Sequence, residues 1–154
     1  MSNDPLLQPY KLKHLTLRNR IMITSHEPAY PEDGMPKGRY RAYHVERAKA
    51  GVALVKPSLR ELRELVQQPL EQPADWCAAA QSLVHSGAAE TVALSLGEQG
   101  AVLATRTGVW QAPALNVPAT TGTTGAGDCF LAALVWALDR GDAPAEALRW
   151  GVAA

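Results

Sequence analysis

Thr123-Thr124-Gly125-Ala126-Gly127-Asp128-Cys129-Phe130 is the stretch on which the reading of this chain turns. Two glycines and an alanine stand directly before an acid, and apolar residues then recur at Phe130, Leu131, Leu134, Val135 and Leu138. That spacing predicts one buried stripe of a helix. Thr123 to Gly127 therefore lie where a loop opens into a helix N-terminus, whose free N–H groups and dipole face whatever approaches. Glycines admit a ligand close to the backbone, which suits an anion with dispersed charge, such as a transferring phosphoryl group. Asp128, in the first turn, can accept a proton from an attacking hydroxyl while the N–H groups hold the developing charge. The bland alternative makes Asp128 a mere helix cap and the glycines a mere turn. The residues upstream argue against it.

Val92 to Leu96 is a short apolar run that reads as a buried strand, Gly97-Glu98-Gln99-Gly100 as a tight turn, and Ala101 to Thr105 as the returning strand of a hairpin. Before it, Pro73 to Ser86 carries Trp76, Ala79, Ala80, Leu83 and Val84 at helical spacing and ends at Gly87. Ala53 to Val55 reads as a strand that runs into Lys56-Pro57-Ser58-Leu59-Arg60-Glu61-Leu62. Ser58 followed three residues later by Glu61 is the pattern of a capping box. Strand, helices, strand, hairpin and helix make an α/β unit whose first two strands should run parallel with a right-handed crossover.

Val55 to Leu62, Ser95-Leu96-Gly97-Glu98-Gln99-Gly100-Ala101 and Gly125-Ala126-Gly127-Asp128, taken in that order, resemble the ribokinase-like (PfkB) carbohydrate kinases. The branch they look most like is that of phosphofructokinase and tagatose-phosphate kinase. The resemblance runs from about Gly51 to the last residue. It implies that Asp128 is the catalytic base toward a sugar hydroxyl and that Gly125, Ala126 and Gly127 form the anion hole for the γ-phosphate. It also implies that Ser95 and Gly97 lie against the nucleotide phosphates, that Lys56 contacts nucleotide, that Thr123 joins these as a cofactor-binding residue, and that Glu61 serves Mg²⁺ indirectly through water. ATP, Mg²⁺ and a sugar phosphate are the implied cofactors and partner. Chemistry of this kind rests on positioning and charge stabilisation. Two positions depart from the pattern: Ser58 stands where many members carry Asn, and Gly122 where ribokinase-type members carry Asp, which speaks against a monovalent-cation site.

The first third reads differently. All three Met and all four Tyr lie before position 52, and all four Trp and both Cys after it. Residues 1–51 hold 9 Lys+Arg and 5 Asp+Glu, whereas residues 52–154 hold 6 and 10, so the net charge of zero conceals a +4 part and a −4 part. A composite chain explains this most simply. Leu15 to Ile23 alternates and then becomes strand-like, Glu32 to Pro36 is a turn, and Arg39 to Lys49 reads as a charged helix with Tyr40, Tyr43 and Ala48 on its buried side. Leu17, Asn19, Arg20, Asp33-Gly34-x-Pro36 and Arg39 to Gly51 resemble the N-terminus of FMN-dependent oxidoreductases of the old yellow enzyme and dienoyl-CoA reductase type. In that family the segment corresponds to an entry hairpin, the first barrel strand and the first helix. A (β/α)₈ barrel takes about 250 residues and builds its site from loops after several strands. Thr24-Ser25-His26 would touch flavin in a whole barrel, but FMN is not expected here, and His26 and His44 read as ordinary histidines.

The expected organisation is therefore residues 1–51 as an FMN-oxidoreductase-like fragment and residues 52–154 as a kinase-like fragment that stops inside a helix after Pro144. The wording Gly51-Val52-Ala53-Leu54 fits either side of the seam. The expected fold is α/β: a partial ribokinase-like three-layer unit preceded by a βα fragment of a TIM barrel. A kinase-like fragment lacking its sugar-binding half is not expected to act alone. The competing readings are a fragment of a flavin oxidoreductase and a fusion product without function of its own. A strand at Ala53 to Val55 deprived of its usual neighbour would leave an apolar edge that invites self-association.

With 47% apolar residues the chain is globular rather than disordered. It holds no apolar run of about 18 residues and no signal peptide before Ser2-Asn3-Asp4, so neither a membrane span nor export is expected. Two cysteines without metal-ligand spacing suit a reducing cytoplasm. The basic first third shows no aromatic platform or nucleic-acid module, so no nucleic-acid partner is expected.

Overall fold

The computed structural model describes residues 4–12, 15–23, 38, 42, 43, 46, 53–116 and 125–154. Among these, one five-stranded sheet runs in the order β3 (Met22–Ile23), β4 (Leu54–Val55), β5 (Thr91–Ser95), β6 (Ala101–Thr105), β7 (Gly108–Ala112). The first three of these strands are parallel and the last three antiparallel to their neighbours. Helices α1 (Leu59–Val66) and α2 (Pro73–His85) lead from β4 to β5, and α3 (Ala126–Arg140) and α4 (Pro144–Ala153) come after the sheet.

Both faces of the sheet are covered, which is why β5 and β6 read as continuous apolar runs. Alternate residues point to opposite faces. Val92, Leu94, Val102 and Ala104 meet Leu62, Trp76, Ala80 and Val84 from α1 and α2. Ala93, Ala101 and Leu103 meet Phe130, Leu134, Leu138 and Leu148 from α3 and α4. Helix, sheet and helix are thus the three layers of a ribokinase-like unit.

The turn from β5 to β6 depends on one glycine. Leu96 N–H donates to Gly100 O at 2.9 Å, and Gly100 has φ +87°. A Cβ at Gly100 would lie 2.0 Å from Ala112 O, so any side chain there collides with β7. Strand β7 itself is not foreshadowed by the sequence pattern. Thr105 pairs with Gly108, so the β6–β7 hairpin closes over Arg106 and Thr107. Neither is the Gly, Asn or Asp that marks a two-residue turn.

In the N-terminal segment, β1 (Tyr10–Leu12) and β2 (Leu15–Leu17) form the expected hairpin, with Tyr10 opposite Leu17 and Lys11 opposite Thr16. The helix expected at Arg39 to Lys49 lies almost wholly outside the described residues, as do Thr24-Ser25-His26, the turn at Glu32 to Pro36, Gly122 and Thr123.

One expectation is overturned. The strand after the seam is not an unpaired edge: Met22 pairs in parallel with Leu54, and Ile23 with Val55. The flavoprotein-like segment places its own strand in the vacant position, so the reason given for self-association through β4 falls away. No helix among the described residues is long and apolar enough to cross a membrane.

Candidate active site

Parallel strands β4 and β5 end on the same edge of the sheet, and the residues at and just beyond those ends build the site. Ligands of open α/β sheets bind outside such carboxyl ends. Lys56 comes directly after β4, and Ser95 is the last residue of β5. Ser95 N–H donates to Pro57 O at 3.0 Å, and Ser58 bridges to Ser95 in parallel, which stitches the two strand ends together. Gly97, exposed and at φ +60°, comes two residues later.

Lys56 is buried, 4% exposed, and its Nζ donates to Ser95 Oγ at 3.4 Å. A Cβ on Gly127 would lie 3.0 Å from that Nζ, so the lysine ammonium rests against the first turn of α3. Burial pushes the Lys56 pKa below the ordinary 10.5, while the carboxylates of Glu61 and then Asp128 pull it back up. The buried cation thus lies beside two acids and a helix N-terminus, the end of a helix at which negative charge is stabilised.

Glycine enters α3 at Gly125, whose φ of +86° makes the turn into the helix. Asp128 and Cys129 N–H both donate to Gly125 O at 2.9 Å. Helix geometry leaves the N–H groups of Ala126 and Gly127 without acceptors inside the helix. The left-handed conformation belongs to Gly125; Gly127 lies within the helix, and its missing side chain provides room for Lys56. Asp128 is exposed at the mouth of this turn.

Glu61 is buried, and its Oε2 accepts from Ser58 N–H at 2.6 Å and Ser58 Oγ at 2.8 Å. The capping box read from the sequence is therefore present, and it anchors the acid that also acts on Lys56. No group of three His, Cys, Asp or Glu side chains among the described residues could hold a metal by itself. The structure thus brings Lys56, Glu61, Ser95, Gly127 and Asp128 to one place, with Gly125 and Ala126 joined to them along the chain. Sequence reasoning named each of them but could not see that Lys56 and Gly127 touch. The missing side chain at Gly127 was the signal, and nothing in a single sequence tells which partner a glycine admits.

Residues 26–154 match the pfkB family carbohydrate kinases. The chain belongs to that family. It is 41% identical over 110 residues to the ATP-dependent 6-phosphofructokinase isozyme 2 of Mycobacterium tuberculosis (strain CDC 1551 / Oshkosh), covering 71% of this chain and 32% of the relative. It superposes with a TM-score of 0.67 and 36% identity on the crystal structure of phosphofructokinase-2 from Escherichia coli in complex with substrates and products, covering 77% of this chain and 38% of that one. The chain thus spans about a third of the length of the kinases it matches. Its N-terminal segment is 82% identical over 54 residues to the probable N-methylproline demethylase of Rhizobium meliloti (strain 1021), 35% of this chain and 8% of that protein. The pfkB match leaves fewer than 54 residues before it, so the two likenesses share residues. The kinase family member is composite.

Proposed function

We propose that this pfkB chain carries the phosphoryl-handling part of an ATP-dependent sugar-phosphate kinase. The observation that supports it most is the buried Lys56 ammonium set between Ser95 and the Gly127 turn of α3. In this reading Lys56, Ser95, Gly97 and Thr123 hold the nucleotide phosphates. Gly125, Ala126 and Gly127 direct backbone N–H groups at the oxygens of the transferring group. Asp128 takes the proton of the attacking hydroxyl as that oxygen bonds to phosphorus and the leaving oxygen departs. Mg²⁺ would neutralise charge on the phosphates, with the anchored Glu61 reaching it through water. Lys56 and Asp128 carry opposite charges at the two sides of the turn, so anion binding and proton acceptance fall to separate groups.

The seam of the proposed organisation falls between residues 51 and 54, and the segment before it is assigned no flavin chemistry. A purified protein with flavin absorbance would overturn that part. Sugar-dependent ADP release is not expected from the 154-residue chain alone; release that vanishes in Asp128→Asn would show it to be sufficient. The direct test is NMR titration with pyrophosphate and with ATP. Salt-sensitive shifts confined to Lys56, Ser95 and Gly125 to Asp128, with little preference among nucleotides, are expected. No shifts there, or equal shifts in Gly127→Val, would reduce the motif to a turn.

A further inference from the structure

We infer that residues 5–12 and 15–23 serve in cis as a strand donor to the kinase-type sheet, closing the edge that Leu54–Val55 would otherwise offer to a second copy of the chain. The inference concerns the sheet and its edge, not the phosphate site.

Ala53 is the point where the two parts are sewn together. Its N–H donates to Ile21 O at 3.2 Å, and its carbonyl accepts from Glu90 and Thr91 N–H at 3.2 and 3.1 Å. Ile21, Ala53 and the start of β5 therefore form one continuous row of backbone hydrogen bonds. Beyond it the Met22–Leu54 and Ile23–Val55 pairs extend the parallel ladder. An apolar strand end with unpaired backbone groups is a template for another chain, and here that template is occupied.

A charged clamp sets the register. Arg18 N–H donates to Glu90 Oε2 at 3.1 Å, its Nε to Glu90 Oε1 at 3.3 Å, and its guanidinium to Gly87 O at 3.5 Å. One residue thus makes three contacts with the loop between α2 and β5. Both side chains are only partly exposed, 34% and 20%, so water screens the pair incompletely. Leu12 adds an apolar anchor, 6% exposed, in the same cluster as Phe130 and Leu134.

The side-chain fit is poorer than the backbone fit. A cavity of about 350 Å³ lies between Leu12 and Leu17 of the donor and Leu54, Thr91, Val135 and Leu138 of the acceptor. Its polar rim is already engaged: Asn19 Oδ1 accepts from Ile21 N–H, and the Arg20 guanidinium lies over the Tyr10 ring and donates to Pro5 O. The cleft opens to solvent, so the side chains that line it meet one another incompletely. Docking is therefore carried by the backbone ladder and the Arg18–Glu90 clamp more than by shape, and it should respond strongly to charge at those two positions.

Hydrogen exchange of the Ala53 and Leu54 amides, with sedimentation of the same samples, tests this on the full chain. Arg18→Glu and Glu90→Arg should each speed exchange at these amides by about tenfold and bring concentration-dependent dimers. The double variant Arg18→Glu with Glu90→Arg should recover part of the slow exchange and reduce the dimers, because the ion pair returns while the acceptor for the residue-18 N–H does not. Arg18→Ala, which removes the pair without repulsion, should act in the same direction by a smaller factor. Exchange unchanged in all single variants would overturn the donor role, as would a double variant that behaves like the singles. Faster exchange without new oligomers would overturn the shielding of the edge.

Discussion

The sheet from β5 to β7 and the segment from Pro5 to Ile23 are built to different standards. Strands β5, β6 and β7 each run five residues and pair without a break, and β5 and β6 bury Val92, Ala93, Leu94, Val102, Leu103 and Ala104 completely. Strands β1 and β2 run three residues and β3 two, and Leu12 is the apolar side chain that the segment buries among its described residues. The first region is held by side chains on both faces; the second is held by the surface it docks against. A short hairpin is marginal by itself and takes its stability from such a surface. The candidate site lies outside the second region: its residues stand at the ends of β4 and β5, in α1 and in the first turn of α3.

The hardest blow to the first region should be Gly100→Val. The new side chain meets the Ala112 carbonyl and a left-handed backbone, and about 3 kcal/mol or more of stability should be lost in urea unfolding. A cost below about 1 kcal/mol would mean that β7 is loosely held. Next, Leu134→Ala should cost about 2–5 kcal/mol, whereas Leu12→Ala, beside the seam cavity, should cost about half as much or less. The two residues share one cluster, so equal costs would erase the contrast between the two regions.

Asp128→Asn separates stability from function. Asp128 is exposed, so unfolding should move by no more than about 0.5 kcal/mol, while pyrophosphate binding by calorimetry is kept or tightened as a negative charge leaves the site. Gly127→Val should likewise leave the fold standing, since the atom it meets is the movable end of Lys56, and yet lose the anion.

The smallest effect is in pH. Burial holds the Lys56 pKa below 10.5, so the folded chain releases that proton at lower pH than the unfolded chain. The unfolded state then binds more protons in the interval between the two, and this residue's contribution to stability rises with pH there. Pyrophosphate affinity should run the other way, falling through the same interval below 10.5 as the ammonium is lost. Lys56→Met should bind more weakly and flatten both profiles. A wild-type affinity constant up to 10.5 would remove Lys56 from the site.

Much of the kinase part was legible because its signals are local. The capping box at Ser58 and Glu61, the helix from Pro73, the hairpin around Gly97 to Gly100 and the helix after Gly125 each depend on residues a few positions apart. The strand Gly108–Ala112 escaped because its turn, Arg106-Thr107, lacks turn chemistry and is imposed by the sheet. The neighbour of β4 escaped for a stronger reason. Met22 and Leu54 belong to the two different patterns, and neither strand carries a mark of the other.

By itself, the sequence determined where helices begin, because caps, glycines and apolar periodicity act over one or two turns, and its two resemblances marked the chain as composite. Tertiary structure alone decided that Lys56 lies against Gly127, that Glu61 and Asp128 both act on it, and that a strand from the flavoprotein-like segment fills the kinase sheet. Backbone hydrogen bonds are the same for every sequence, so a strand's partner is chosen by which edge is open and within reach.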